Sequence, residues 1–264
     1  MTDMASTRSR SVRVVDRAAA PASARTVRAL VGVVSAIGVT ASVRGQTAQF
    51  YPLGDLPGGL VWSSARAVSA DGSVVAGVSK TAAGDEAFRW SPTTGMVSLG
   101  DLPGGPVRSV ARGMNADGSV IVGQGEVDAG ASAFRWSLPL GMEPLSALSN
   151  VDESFGQGCT QDGNVIVGTA RIGTATAAFR WTSASSFADV LLPDGNTSNG
   201  NTEANAVSPD GSWIAGSISP NGPVSAAVWS QSTGWITIGD IPGGGEQSYA
   251  VRSSAIDALS ARPR

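Results

Sequence analysis

Ser69-Ala70-Asp71-Gly72-Ser73-Val74-Val75-Ala76-Gly77 is the stretch on which the fold turns, because the chain says it four times. The other copies begin at Asn115, Thr160 and Ser208, and their Asp-Gly pairs stand at Asp117-Gly118, Asp162-Gly163 and Asp210-Gly211. The aspartates are 46, 45 and 48 residues apart, and a glycine follows each by six positions (Gly77, Gly123, Gly168, Gly216). A period of this length built on a turn and a β-branched run marks a β-repeat array. Asp-Gly between alternating apolar runs is a strong hairpin signal, and a type I′ turn with positive φ at both residues is the expected form.

Working outward, each copy is preceded by a short alternating strand such as Ala65-Arg66-Ala67-Val68 and followed by an apolar one such as Val74-Val75-Ala76-Gly77-Val78. Ala87-Phe88-Arg89-Trp90 then recurs as Ala133-Phe134-Arg135-Trp136 and Ala178-Phe179-Arg180-Trp181, and in altered form as Ala226-Ala227-Val228-Trp229. A glycine five residues past three of the tryptophans (Gly95, Gly141, Gly234; Ser186 in the third unit) marks a second hairpin turn. Each unit therefore holds four short antiparallel strands, the content of a propeller blade. The fold expected is all-β: a β-propeller-like array of four repeats of about 46 residues. It is expected to be incomplete or truncated, because Ser253-Ser254-Ala255-Ile256 stands where a fifth Asp-Gly would fall.

Within the unit, Phe and Trp at fixed register read as inter-repeat core, each burying roughly 150–250 Å². The glycine six past each Asp reads as a point where neighbouring sheets crowd. Arg89, Arg135 and Arg180 read as solvent-face residues whose stems cover aromatic surface. A Pro- and Gly-rich phrase closes the unit, Gly54-Asp55-Leu56-Pro57-Gly58-Gly59, returning from Gly100 and from Gly239. Its Asp55, Asp101 and Asp240 are expected to bond the backbone of their own loops.

The ends differ from the body. Residues 1–48 carry seven Arg and two Asp, and an uncharged apolar run, residues 29–41, follows the Arg-rich stretch. Its length suits a signal-peptide core and falls short of a membrane span of about 20 residues. A Sec-type leader over 1–48 is expected, cleaved after Ala41 or Ala48, ahead of a four-repeat domain over 49–246 and a partial fifth repeat or tail over 247–264. The rest of the chain holds 11 basic and 19 acidic residues, with Lys80 its one lysine. That balance excludes the cationic surface that nucleic acid or an anionic membrane requires. No membrane span is expected in the mature chain.

Chemistry is sparse. The chain has no His, so Cys159, its single cysteine, cannot form a Cys–His pair and reads as a small buried hydrophobe. No catalytic, cofactor-binding or metal residues are assigned, and no cofactor is expected. A propeller-fold hydrolase or lyase would have to draw on loop carboxylates, for which Asp55, Asp101, Asp152, Glu153 and Asp240 are the candidates. Calcium would lack an Asp-x-Asp-x-Asp-Gly loop.

At the level of the repeat, the chain resembles the HAF-family extracellular repeat proteins of bacteria. Their Ala-Phe-x-Trp strand, Asp-Gly-x-Val-Val-x-Gly hairpin and Leu-Gly-x-Leu-x-Gly-Gly loop are matched by Ala87 to Trp90, Asp71 to Gly77 and Leu99 to Gly105. The His that precedes Ala-Phe in that family is Glu86, Ser132 and Ala177 here. The resemblance implies a secreted or surface-located repeat protein of unknown biochemical role, and the lack of a reactive constellation makes a non-catalytic one the expectation. An unknown protein or glycan ligand is its expected partner, with self-association through exposed sheet edges.

Overall fold

In the computed structural model the described residues are 50–145, 151–184, 187–191, 201–219, 223–239, 248 and 250. The expected leader over 1–48, Asp240 and all but two residues of the expected partial fifth repeat over 247–264 lie outside them. Four four-stranded antiparallel sheets follow one another, as the repeats require. Blade 1 holds β1 (Gly58–Val68), β2 (Val75–Thr81), β3 (Asp85–Ser91) and β4 (Gly95–Ser98). Blade 2 holds β5 (Ser109–Met114), β6 (Val120–Val127), β7 (Gly130–Ser137) and β8 (Gly141–Pro144). Blade 3 holds β9 (Glu153–Cys159), β10 (Val165–Ile172), β11 (Ala175–Thr182) and β12 (Phe187–Leu191). Blade 4 holds β13 (Asn201–Val207), β14 (Ile214–Ser219), β15 (Ser225–Ser230) and β16 (Gly234–Thr237). Every blade runs in sequence order from first strand to fourth, and the first strands β1, β5, β9 and β13 pack on one another in turn. Antiparallel order puts the Asp-Gly turns at one end of the array, the turn end. The Gly-Asp-Leu-Pro loops and the β2–β3 type hairpins share the other, the loop end.

The core lies between blades. The Ala-Phe-Arg-Trp strand alternates sides: Ala87 faces forward onto blade 2, while Phe134 and Trp136 of blade 2 face back to meet it with Ile121. The next junction repeats the pattern, with Val120, Val122 and Ala133 against Ile166, Phe179 and Trp181. Phe88, Phe134 and Phe179 are fully buried, which bears out the aromatic register as inter-repeat core.

Each junction also carries a hydrogen bond that the repeat pattern had not suggested. The buried amides of Ala87, Ala133 and Ala178 donate to the hydroxyls of Ser109, Ser154 and Thr202 on the next blade, at 2.9, 2.9 and 2.7 Å. Ala226 does the same to Ser248 at 2.9 Å, which places that residue of the fifth unit against blade 4. Ser109 in turn donates to the carbonyl of Gly100 at 2.7 Å and Thr202 to that of Leu191 at 3.1 Å, tying the incoming loop to the same point. Ser63 holds this position in blade 1, donating to Gly54 at 2.7 Å, and no described amide donates to it.

Two expectations change. The Asp-Gly loop is not a two-residue type I′ hairpin. The Ser69 carbonyl accepts the Gly72 amide at 3.0 Å, so Ala70 and Asp71 are the central turn residues, and Gly72 follows with φ +73°. A longer loop arises because Ser69 and Asp71 side chains satisfy the backbone that a tighter turn would pair directly.

The glycine six past each Asp is crowded by its own blade rather than by a neighbour. A Cβ on Gly77, Gly123, Gly168 or Gly216 would run into the carbonyl oxygen of Ser64, Val110, Phe155 or Glu203 on the first strand of the same sheet. On Gly77, Gly123 and Gly168 it would also meet the ring of the blade's own phenylalanine. The carbonyl is turned there by a β-bulge present in all four first strands, at Arg66, Arg112, Gln157 and Asn205.

Gly123→Ala should cost about 3 kcal/mol or more, since backbone must move. Gly141→Ala, in open space at φ +78°, should cost about 1–2 kcal/mol. Urea unfolding of the two variants measures the difference, and equal losses would remove the bulge as the cause. Ser154→Ala, which leaves the Ala133 amide buried and unpaired, should cost about 1–3 kcal/mol, and Ser63→Ala about 1 kcal/mol or less. Equal effects would discount the inter-blade bond.

Candidate functional site

The turn end is built from four copies of one polar knot. In blade 1, Asp71 Oδ1 accepts from the Ser69 hydroxyl at 2.7 Å, the Ser73 amide at 3.0 Å and the Ser73 hydroxyl at 2.8 Å. The Val74 amide returns to Ser69 Oγ at 2.9 Å. Asp210 repeats the set with Ser208 and Ser212, and Asp162 with Thr160 and Asn164. Because these bonds favour the ionised form, Asp71 and Asp210 are held down to about 2, the hydroxyls of Ser69 and Ser208 contributing most. Asp117 is lowered chiefly by the Ser119 hydroxyl and Asp162 by that of Thr160.

The turns interlock around the array axis. Ala70 donates to the Ala116 carbonyl at 2.8 Å, Asn115 Nδ2 to that of Gln161 at 3.1 Å and Gln161 to that of Pro209 at 3.4 Å. Two of the three arginines join them instead of lying on a solvent face. Arg89 Nε donates to the carbonyl of Gly118 at 3.3 Å and Arg135 Nε to that of Gly163 at 3.4 Å, each on the following blade.

Inside this ring lies a cavity of about 580 Å³, to which all four blades contribute: residues 67–70, 113–116, 157–159 with 161, and 205–207 with 209. Val68, Met114, Cys159 and Val207 give it apolar wall, and Asn115, Gln157, Gln161 and Asn205 give it amides. Among the described residues that line it none is charged and none aromatic. Cys159 brings no nucleophile, because burial pushes its thiol up to about 12. The volume falls within the range of ligand sites.

The candidate carboxylates stand elsewhere. Asp55, Asp101, Asp152 and Glu153 all belong to the loop end, about a strand's length, ~17–20 Å, from the cavity; Asp240 lies outside the described residues. Asp152 Oδ2 accepts the Gly173 amide at 2.7 Å, and Glu153 pairs with Arg171 at 3.1 Å. Asp101 Oδ2 accepts the Arg108 amide at 3.1 Å, as a loop-serving aspartate should. Its Oδ1 is buried without a partner, and Asp101 is raised above the ordinary value, first by burial and further by the charge of Glu86. Glu86 is itself engaged by the hydroxyls of Thr81 and Ser98. Among the described residues no group of three or more His, Cys, Asp or Glu could hold a metal ion.

The cavity went unread in the sequence because its lining residues are small or neutral and come from four turns. The junction hydroxyls did leave a trace: a Ser or Thr stands eight positions before every repeat aspartate, at 63, 109, 154 and 202.

A lowered carboxyl stabilises the fold fully above the unfolded aspartate value of about 3.9 and loses that contribution as pH falls through its folded value. Thermal melts of the wild type and Asp210→Asn should therefore differ at about pH 5–7 and converge between about pH 4 and 2. A gap unchanged at pH 2 would take the charge out of the turn's stability.

No family model matches the chain, and no curated protein matches its sequence. Among solved structures it is similar to TolB from Acinetobacter baumannii, with a TM-score of 0.50 at 18% identity over 66% of this chain and 42% of that one. It is also similar to a TolB from Agrobacterium tumefaciens, with a TM-score of 0.52 at 15% identity over 69% of this chain and 67% of the other. The chain thus spans less than half of the first of these proteins. At such identities the likeness is one of fold, and the fold is β-propeller-like.

Proposed function

We propose that this chain is an exported, non-catalytic repeat protein of the cell surface or extracellular space, of the HAF kind, that binds a protein or glycan ligand at the mouth of its axial cavity. The observation that carries the reading is the cavity itself. Four sequence-distant turns converge on it, and their side chains offer hydrogen bonds and apolar wall rather than an acid, a base or a nucleophile. The Arg-rich leader supports export. Self-association through the exposed apolar residues of blade 1, Leu60, Val61 and Val68, is part of the same reading.

A second reading, a hydrolase or lyase working through loop carboxylates, draws on Asp101 first. Its buried, unpartnered oxygen and raised pKa are the traits of a proton donor, but Asp152 and Glu153 are engaged by the Gly173 amide and by Arg171.

Intact mass of the protein recovered from outside the producing cell tests the first reading. The expected chain begins at Ser42 or Gln49, and it should turn over neither glycan nor peptide substrates. Recovery only from the cytoplasm with Met1 in place would overturn export, and turnover lost in Asp101→Asn would put the second reading in its place.

A further inference from the structure

Three of the four turns carry no polar side chain at the residue before the repeat aspartate: Ala70, Ala116 and Pro209. The fourth carries Gln161. Blade 3 also places Gln157 four residues earlier, on the bulge of β9, where the strand re-aims a side chain. Both glutamines line the axial cavity. The turn ring does not call for Gln161, because the bonds made at this position are main-chain ones, Ala70 to Ala116 and Gln161 to Pro209.

The other polar side chains of the cavity wall are engaged. Ser69 Oγ donates to Asp71 and accepts the Val74 amide. Asn115 Oδ1 accepts the Val120 amide at 3.0 Å, and its Nδ2 donates to the Ser119 hydroxyl and the Gln161 carbonyl. Asn205 Nδ2 donates to the Ala250 carbonyl at 2.9 Å. Among the described residues no hydrogen bond engages the side-chain amide of Gln157 or of Gln161. Their main chain is nevertheless held. Gln161 is bonded on both sides, by Asn115 and to Pro209, and the Gln157 carbonyl lies too close to Gly113 to admit a Cβ there. Two uncommitted carboxamides thus stand on fixed backbone, both on one wall. The wall around them is apolar at one register, three residues before each repeat aspartate: Val68, Met114, Cys159 and Val207.

We infer that blade 3 is the hydrogen-bonding edge of the cavity, where Gln157 and Gln161 bind the amide groups of an uncharged aliphatic peptide segment whose side chains lie against Val68, Met114, Cys159 and Val207. A carboxamide both donates and accepts, which matches the one N–H and one C=O of a peptide unit. Holding the glutamine backbones in advance lowers the ordering cost of binding. A charged ligand would give up its water for a wall without a counter-charge, a cost that a neutral one escapes. The lining offers no aromatic platform for the face of a sugar. This rests on the cavity being the binding site.

The probes are N-acetyl-Leu-Ala methylamide, which is neutral; N-acetyl-Leu-Ala, an anion; Leu-Ala methylamide, a cation; and diacetylchitobiose as the glycan. Each is titrated into the protein and its variants by ligand-observed NMR. The neutral peptide should bind, and the two charged ones about tenfold more weakly or less well still. Gln157→Leu and Gln161→Leu should each weaken the neutral peptide by about three- to tenfold. Gln157→Glu should weaken it too, while tightening the cationic peptide by about tenfold, a reversal that a merely structural role for Gln157 would not produce.

Val68→Trp, at a position 62% exposed, blocks the cavity and should abolish all binding. Melting curves show that each variant is folded. Neutral-peptide binding that is lost in Val68→Trp but unchanged in both glutamine variants would overturn the role of blade 3 and leave the cavity standing as a site. Binding that survives Val68→Trp would overturn both. No binding of the neutral peptide, or equal binding of the charged ones, would overturn the uncharged amide as ligand, and tighter binding of diacetylchitobiose would overturn the peptide in favour of a glycan.

Discussion

The array depends on one hydrogen bond made over and over: a third-strand amide of one blade into a first-strand hydroxyl of the next. Blades of this kind meet through flat apolar faces, which attract without fixing register. The amide of the Ala-Phe-Arg-Trp strand is buried there and cannot be left unpaired without a penalty of about 1–3 kcal/mol. One hydroxyl answers that amide and, in blades 2 and 4, holds the incoming loop by its carbonyl, so a single atom sets where each blade begins relative to the last. The aromatic packing supplies most of the free energy; the hydroxyl decides the geometry in which it is collected.

Much of this was legible in the residues. The period, the strand count and the placing of Phe and Trp all followed from Asp-Gly, Ala-Phe-Arg-Trp and the glycines at fixed offsets, and the sheets fall where those signals put them. Ser109, Ser154 and Thr202 were equally periodic but passed unseen, since a lone hydroxyl in a Ser-rich chain carries no chemical signature until its partner is known. Gly77 and its equivalents were read correctly as crowded and wrongly as to by what. A bulge carbonyl belongs to the backbone, and nothing in Ala65-Arg66-Ala67 announces it. The same is true of the cavity, whose lining of Ala, Gly, Val and amides looks like ordinary strand ends.

The Asp-Gly turns show how a repeat can keep its shape while freeing its surface. Asp71 and its equivalents are satisfied within six residues, so each turn is complete before any neighbour arrives. The ring around the axis is then assembled from finished pieces by main-chain contacts such as Ala70 to Ala116. At the bulges the residue changes from blade to blade, from Arg66 to Arg112, Gln157 and Asn205. Sameness at the turns and difference at the bulges are two aspects of one division of labour between scaffold and surface.

Ser63, to which no described amide donates, sets blade 1 apart from the others among the described residues. Units that touch only their neighbours share stability along a line, and a unit covered on one side holds less of it than one covered on both. Among the described blades, 2 and 3 are sandwiched and blade 1 packs on blade 2 alone, with Val61 90% exposed. Spontaneous opening should therefore enter from the N-terminal blade and travel inward, so that protection against hydrogen exchange rises from β1 toward the middle of the chain. An array of near-identical parts would then unravel in a fixed order, dictated by position and not by sequence.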